Sequence, residues 1–125
     1  MYIALLDDSE TRHREINLLL GEEHCLLEAF EVEEAKKFFG AEGIKVGLLL
    51  VDHDLGLSAD GDDFAKWMMD ECPEERLPAQ AIVISNNSYG AANIASKLRA
   101  RLIPTRCIPY SGEMVRQLKE ELKPT

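Results

Sequence analysis

A chain of 125 residues with 46% hydrophobic and 30% charged content carries enough apolar side chains for one packed domain and leaves no room for a second. Residues 1–125 are therefore read as a single domain. Its 23 acidic residues outnumber 14 basic ones, for a net charge of −9. Nonspecific nucleic-acid binding draws its energy from clustered Lys and Arg, so DNA binding is not expected. No apolar run approaches the ~18 residues of a membrane span, and the first residues lack the basic start and cleavage site of a signal peptide, which predicts a cytoplasmic protein.

In chain order, short apolar runs alternate with segments of helical period. Tyr2–Leu6 (YIALL) predicts a first strand, followed by Ile16, Leu19 and Leu20 at helical spacing. Cys25–Ala29 (CLLEA) predicts a second, with Ala35, Phe38 and Phe39 on the helix after it. Gly47–Val51 (GLLLV) predicts a third, and Phe64, Trp67 and Met68 lie on a helix from Phe64 to Asp70 that stops before Pro73. The run Pro73 to Pro78 reads as an exposed loop carrying solvated Glu74, Glu75 and Arg76. Ala81–Ile84 (AIVI) predicts the fourth strand, with Ile94 and Leu98 behind it on a helix starting near Tyr89. A weaker fifth strand at Cys107 and Ile108 precedes Met114, Val115, Leu118 and Leu122. Strands that are nearly all apolar are those covered on both faces. Five β-then-α units with right-handed crossovers therefore predict an α/β fold: a five-stranded parallel doubly wound sheet, order 2-1-3-4-5, with helices on both faces. The three cysteines, Cys25, Cys72 and Cys107, have no CxxC spacing and read as reduced thiols.

The strand ends are where this pattern acquires charge. In open α/β sheets a ligand sits beyond the carboxyl ends of the strands, where chain order reverses, which here falls between strands 1 and 3. Strand 1 ends in Asp7-Asp8 and strand 3 in Asp52-His53-Asp54. Buried strands thus deliver carboxylates to one rim, an oxygen-rich arrangement suited to Mg²⁺. Other roles for these residues remain open at this level. Asp8 or Ser9 could cap the following helix. His53 could brace the loop or transfer protons, and Asp54 could belong to the site or to the loop. A calcium loop over Asp52, Asp54 and Asp63 is disfavoured because Leu57 stands where such a loop needs glycine. The segment ISNNSYGAAN supplies Ser85, Asn86, Asn87 and Ser88 ahead of a helix start, a ready site for phosphate oxygens or an ordinary turn capped by Ser88. His13 and His24 are expected away from the rim, as surface or packing residues.

Together these residues resemble the receiver domains of two-component signalling over nearly the whole chain. Asp7 and Asp8 match the acidic pair that holds Mg²⁺, Asp52 the phosphoacceptor, and Ser85 the hydroxyl residue after strand 4. The chain is more closely similar to the receiver-like group called the cyclic-phosphate-processing receiver domain. Asp7, Asp8 and Arg12 match its first pattern, Asp52 to Gly56 (DHDLG) its second, and Ser85, Asn87, Gly90 and Asn93 its third. Two positions depart from the relatives. Ile108 replaces the receiver lysine in IPY, and Ile84 replaces the histidine before Ser85. A lost electrostatic contact of the lysine's kind commonly costs roughly 10²-fold or more in rate.

The resemblance implies a flavodoxin- or receiver-like fold and a Mg²⁺ site made by Asp7, Asp8 and Asp52. It also implies phosphate-positioning groups from Arg12, Ser85, Asn87, Gly90 and Asn93, with Asp52, His53 and Asp54 as the chemical groups. The reaction implied is binding or hydrolysis of a cyclic phosphate. Two alternatives stand beside it: a receiver phosphorylated on Asp52 or serving as a protein-interaction module, and a noncatalytic nucleotide-phosphate binder. Arg12 could instead be a surface residue of the first helix. The implied partner is a phosphate-bearing small molecule or nucleotide. Lys97, Arg99, Arg101 and Arg106 form either a solvated basic face or, through Lys97 and Arg101, a docking face for a protein partner or second copy.

Overall fold

A computed structural model describes residues 1–40, 44–56 and 59–123; Leu57 lies outside them. Five parallel strands, β1 (Tyr2–Leu6), β2 (Cys25–Ala29), β3 (Val46–Val51), β4 (Gln80–Val83) and β5 (Thr105–Cys107), form one sheet in the order β2-β1-β3-β4-β5. Each is followed by a helix: α1 (Glu10–Leu20), α2 (Val32–Phe38), α3 (Gly61–Asp70), α4 (Ser88–Ala100) and α5 (Gly112–Glu121). The α/β class and the strand order are those expected from the sequence.

The apolar runs are explained by the two layers they separate. Successive strand side chains point to opposite faces. Ala4, Leu6, Leu49 and Val51 enter a core beneath α2, α3 and α4, while Ile3, Leu5, Leu48 and Leu50 enter one beneath α1 and α5. With both faces covered, β1 and β3 have no position for a polar residue until they end. Burying one such Leu or Ile stabilises the fold by about 1.5–3 kcal/mol. The charge that follows at Asp7 and Asp52 is thus held at a rigid edge.

Differences from the sequence reading are local. The fifth strand is Thr105–Cys107 rather than Cys107 and Ile108, although the Ile108 N–H still donates to the Val83 carbonyl at 2.9 Å. The third helix begins three residues earlier than Phe64, because Asp60 and Asp63 form a reciprocal capping box around its first turn. The segment Pro73 to Pro78 is not simply exposed. Glu74–Arg76 make one 3-10 turn, and Leu77 is buried in the core with its carbonyl accepting from Lys45 Nζ. Apolar Leu77 outweighs its charged neighbours.

The basic cluster is also spent within the domain. Lys97 Nζ lies 2.6 Å from Asp62 Oδ1, Arg99 donates to the Thr105 carbonyl at 2.7 Å, and Arg106 pairs with Glu121 at 3.0 Å. Arg101 Nη1 donates to the carbonyls of Met68, Met69 and Cys72 at 2.9, 3.2 and 3.0 Å, satisfying the C-terminal end of α3 from α4. Replacing Arg101 with methionine keeps the stem and removes these bonds, so a loss of about 1–2 kcal/mol is expected in urea denaturation. A loss under half of that would show the cap to be dispensable. Among the described residues, no helix is long and apolar enough to cross a membrane.

Candidate functional site

Asp7 and Asp52 each stand one residue past the paired part of their strands. Leu6 pairs with Val51, and the Asp52 N–H extends that ladder by donating to the Leu6 carbonyl at 2.9 Å. The carboxylates therefore emerge side by side. Their parity is that of Leu5 and Leu50, so both turn toward the α1 side of the sheet. Asp7 is fully buried and Asp52 is 6% exposed. The Ser9 hydroxyl accepts from the Arg12 N–H at 3.2 Å and caps α1. Asp8 is thereby free of the capping role and lies exposed at the rim.

One ligand oxygen from each of Asp7, Asp8 and Asp52 lies within 4.8 Å of the others. Oxygens around a single Mg²⁺ are at most about 4.2 Å apart at the usual bond length, so small side-chain adjustments bring these three into range. Arg12 enters the same cluster from the first turn of α1. Its Nη1 is 3.3 Å from Asp7 Oδ2 and 3.5 Å from Asp52 Oδ2, and the guanidinium lies 4.8 Å from the centre of the Tyr110 ring. One cation among three carboxylates leaves room for a divalent ion to complete the neutralisation.

Burial, reinforced by the charge of Asp7, holds the Asp52 carboxyl above the usual carboxylate range. Arg12 and the His53 N–H, which donates to Asp52 Oδ1 at 2.8 Å, offset this only in part. Asp52 is thus an acid whose charge the fold tolerates at a cost, a perturbation found at functional sites and in structural ion-pair networks alike.

His53 leaves the rim and turns inward. Its Nδ1 is 2.8 Å from Asp54 Oδ1, and its Nε2 is 3.6 Å from Asp60 Oδ2. Burial alone would lower its pKa; the bond to Asp54 and the charges of Asp60, Asp54 and Asp62 together outweigh burial and raise it. The ring also fills the space beside Gly90, where a Cβ would lie 2.4 Å from His53 Cγ. His53 therefore braces the β3–α3 loop against α4 and orients Asp54, while Asp54 itself faces outward.

An open cleft of about 270 Å³ lies over these groups, lined by Asp8, Ser9, Arg12, Asp52, Asp54 and Asn86. Ser85, just past β4, is buried, its hydroxyl accepting from the Asn87 N–H at 3.0 Å. Asn87, rather than Ser88, is the N-cap of α4, accepting from the Gly90 N–H at 3.0 Å. Asn93 is exposed along α4. The structure thus brings together Asp7, Asp8, Arg12, Asp52 and Asp54, and leaves Ser85, Asn87 and Gly90 on the β4–α4 turn and the start of α4, with Asn93 farther along that helix, none of them lining this cleft.

One contributor was named in the sequence only within a run of four polar residues, and a second escaped it. Asn86 lines the cleft, and its only signal was its place in the polar ISNN run. His13, expected away from the rim, lies directly beneath it. It is 3% exposed, donates through Nε2 to the Asp7 carbonyl at 2.7 Å, approaches Glu28 Oε1 with Nδ1 at 3.0 Å, and stacks on Phe30 with centroids 3.9 Å apart. Spacing on α1 could not disclose a bond to the backbone of another element. Ile84 is fully buried in the core on the α1 side, and Ile108 packs against that core. Among the described residues, the cation within pairing distance of Asp52 is Arg12, supplied by α1 and not by the strand that carries Ile108.

The arrangement agrees with known proteins at the level of family and fold. The model of the cyclic-phosphate processing receiver domain family matches residues 2–100, a span that contains every one of the cleft residues. The chain belongs to that family. The receiver domain is similar in fold to the response regulatory domain of mrkE from Klebsiella pneumoniae, with a TM-score of 0.69 and 18% identity, covering 98% of this chain and 94% of that one. It is likewise similar to the response regulator TrrA from Thermotoga maritima in complex with Mg²⁺-BeF, with a TM-score of 0.69 and 20% identity over 97% of this chain and 95% of that one. A CheY-like receiver domain from Methanospirillum hungatei aligns with a TM-score of 0.67 and 16% identity, over 94% and 90% of the two chains. Among curated proteins, none matches this receiver domain in sequence.

Proposed function

We propose that this receiver domain binds a cyclic phosphate diester at the acidic cleft and, with Mg²⁺, opens its ring by hydrolysis. The observation that carries the reading is the convergence of Asp7, Asp8 and Asp52 with Arg12 on one open cleft. A ligand oxygen from each of those three aspartates would hold the ion, which supplies Lewis-acid polarisation of a phosphoryl oxygen. Arg12 and Asn86 offer hydrogen-bond donors to the other phosphate oxygens. Asp54, outward-facing and steadied by His53, orients the attacking water and accepts its proton. Water forms a new P–O bond as one ring P–O bond breaks, and the departing alkoxide takes a proton from solvent or from Asp54. Ser85 and Asn87 support the site by ordering the start of α4.

A second reading, phosphoryl acceptance by Asp52, draws on its position past β3 beside Asp7. It loses support from Ile108, which offers no cation to an acyl phosphate, and Arg12 is the residue that would serve instead. A binder without turnover is the third reading. With Lys97 and Arg101 engaged by α3, the cleft is the favoured contact for a small phosphate-bearing partner over a protein docking on that face.

The deciding assay is phosphorus NMR of a panel of 2′,3′-cyclic and other cyclic phosphates incubated with the protein and Mg²⁺. Ring opening that falls at least about 10²-fold in Asp52→Asn is expected. Equal turnover in the two proteins sinks the proposed site. A hydroxylamine-labile adduct on Asp52 after acetyl phosphate, with no ring opening, would replace this reading by the second.

A further inference from the structure

A second cavity, of about 310 Å³, adjoins the acidic cleft. It lies between α4 and the chain leaving β5, lined on the helix from Ser88 to Arg99, and Asn86 lines both spaces. The two cavities differ in chemistry. The cleft presents Asp8, Asp52 and Asp54. Among the described residues, those that line the second cavity include no acidic side chain: Ala91, Ala92 and Pro109 give it apolar surface, and Ser85, Ser88 and Arg99 give it polar edges. On its wall, Cys107 Sγ approaches the Ala91 carbonyl at 3.7 Å. Arg99 commits Nη2 to the Thr105 carbonyl at 2.7 Å, and a guanidinium carries five N–H donors. Small side chains on both walls leave open a space at the lower end of the range that organic ligands fill.

We infer that this cavity is the subsite for the organic part of the ligand, and that the ligand is a mononucleotide-type cyclic phosphate whose nucleoside rests between α4 and β5. The inference rests on the cyclic-phosphate reading of the cleft and adds the substrate class. A planar base matches a slot of alanine and proline surface edged by a guanidinium and hydroxyls, because each base joins an apolar face to a hydrogen-bonding rim. Asn86 stands at the junction, where the ribose would pass from one space to the other. A single nucleotide suits this surface better than an RNA strand. Further backbone phosphates would meet an acidic rim on a chain of net charge −9, where Lys97, Arg99, Arg101 and Arg106 are already engaged by protein groups.

Cys107 is an exposed thiol on the wall of this cavity, and it reports on occupancy directly. The experiment measures the rate of Cys107 alkylation by N-ethylmaleimide, read by peptide mass spectrometry with Mg²⁺ and catalytically silent Asp54→Asn protein. The probes are adenosine 2′,3′-cyclic phosphate and inorganic phosphate, with Kd for both from calorimetry. The nucleotide is expected to slow alkylation at least about fivefold, whereas inorganic phosphate binds without protecting the thiol. Ala92→Phe, at an exposed helix position, fills the cavity mouth and should weaken the nucleotide about tenfold while leaving inorganic phosphate unchanged. If the nucleotide binds but leaves Cys107 unprotected and Ala92→Phe has no effect, the subsite is refuted and the cleft reading survives. If neither probe binds, both fall.

Discussion

Asp52→Asn melts at a higher temperature than the parent protein when divalent cations are removed with EDTA. The substitution keeps the acceptor for the His53 N–H while removing a charge that burial and Asp7 both oppose. Relief of about 1 kcal/mol corresponds to a rise of roughly 3–6 °C for a domain of this size. The sign of the pH dependence follows from the raised pKa. Between the unfolded value near 3.8 and the higher folded value, the native state binds more protons than the unfolded one. Stability from this group is therefore complete below pH 3.8 and is lost as pH rises through the folded pKa. The asparagine variant has no such loss, so its advantage widens as pH climbs through that window. Mg²⁺ should raise the melting temperature of the parent and leave the variant unmoved. A melting difference that is constant with pH, or a parent less sensitive to Mg²⁺ than the variant, contradicts the electrostatic account.

Gly61→Ala is the most damaging small substitution expected near the site. A Cβ at Gly61 would lie 2.1 Å from the Asp52 carbonyl oxygen and 2.9 Å from the His53 Cα. Both are backbone atoms, so the clash cannot be relieved by rotating a side chain. The Gly61 N–H also donates to the His53 carbonyl at 2.9 Å, which ties the start of α3 to the loop that carries Asp52 and Asp54. Overpacking of this kind costs about 3 kcal/mol or more, a large share of the stability of a small domain. The melting temperature should fall by roughly 10 °C or more. Cation binding should weaken as well, since the loop must move to admit the methyl group. Urea denaturation and a Mg²⁺ titration of the folded fraction check the two effects separately. A variant within about half a kcal/mol of the parent would show that the approach of α3 is not tight.

Both substitutions act at a junction whose parts differ in how readable they were. The acidic pairs were legible because β1 and β3 are unbroken apolar runs that end in charge, and strand order alone places those ends together. The turn carrying Ser85 and Asn87 was legible as a motif but not in its roles. Whether an amide caps a helix or faces a ligand depends on one torsion, and here Asn87 caps α4 while its neighbour Asn86 faces the cleft. His13 was invisible as a site component because its partners, the Asp7 carbonyl and Glu28, are joined only when α1 packs on β1 and β2.

The sequence by itself determined the alternation of strands and helices, the two-sided burial of the sheet and the rim at which Asp7, Asp8 and Asp52 collect. These follow from short-range periodicity and from the rule that parallel strands cross over in one hand, so no knowledge of packing was required. Only the tertiary structure decided that Arg12 inserts between Asp7 and Asp52, that His53 turns beneath Gly90, and that a second cavity opens beside Asn86. Those outcomes depend on contacts between elements distant in the chain, where sub-ångström differences in approach select which polar group meets which. Residue spacing along one element carries no record of them.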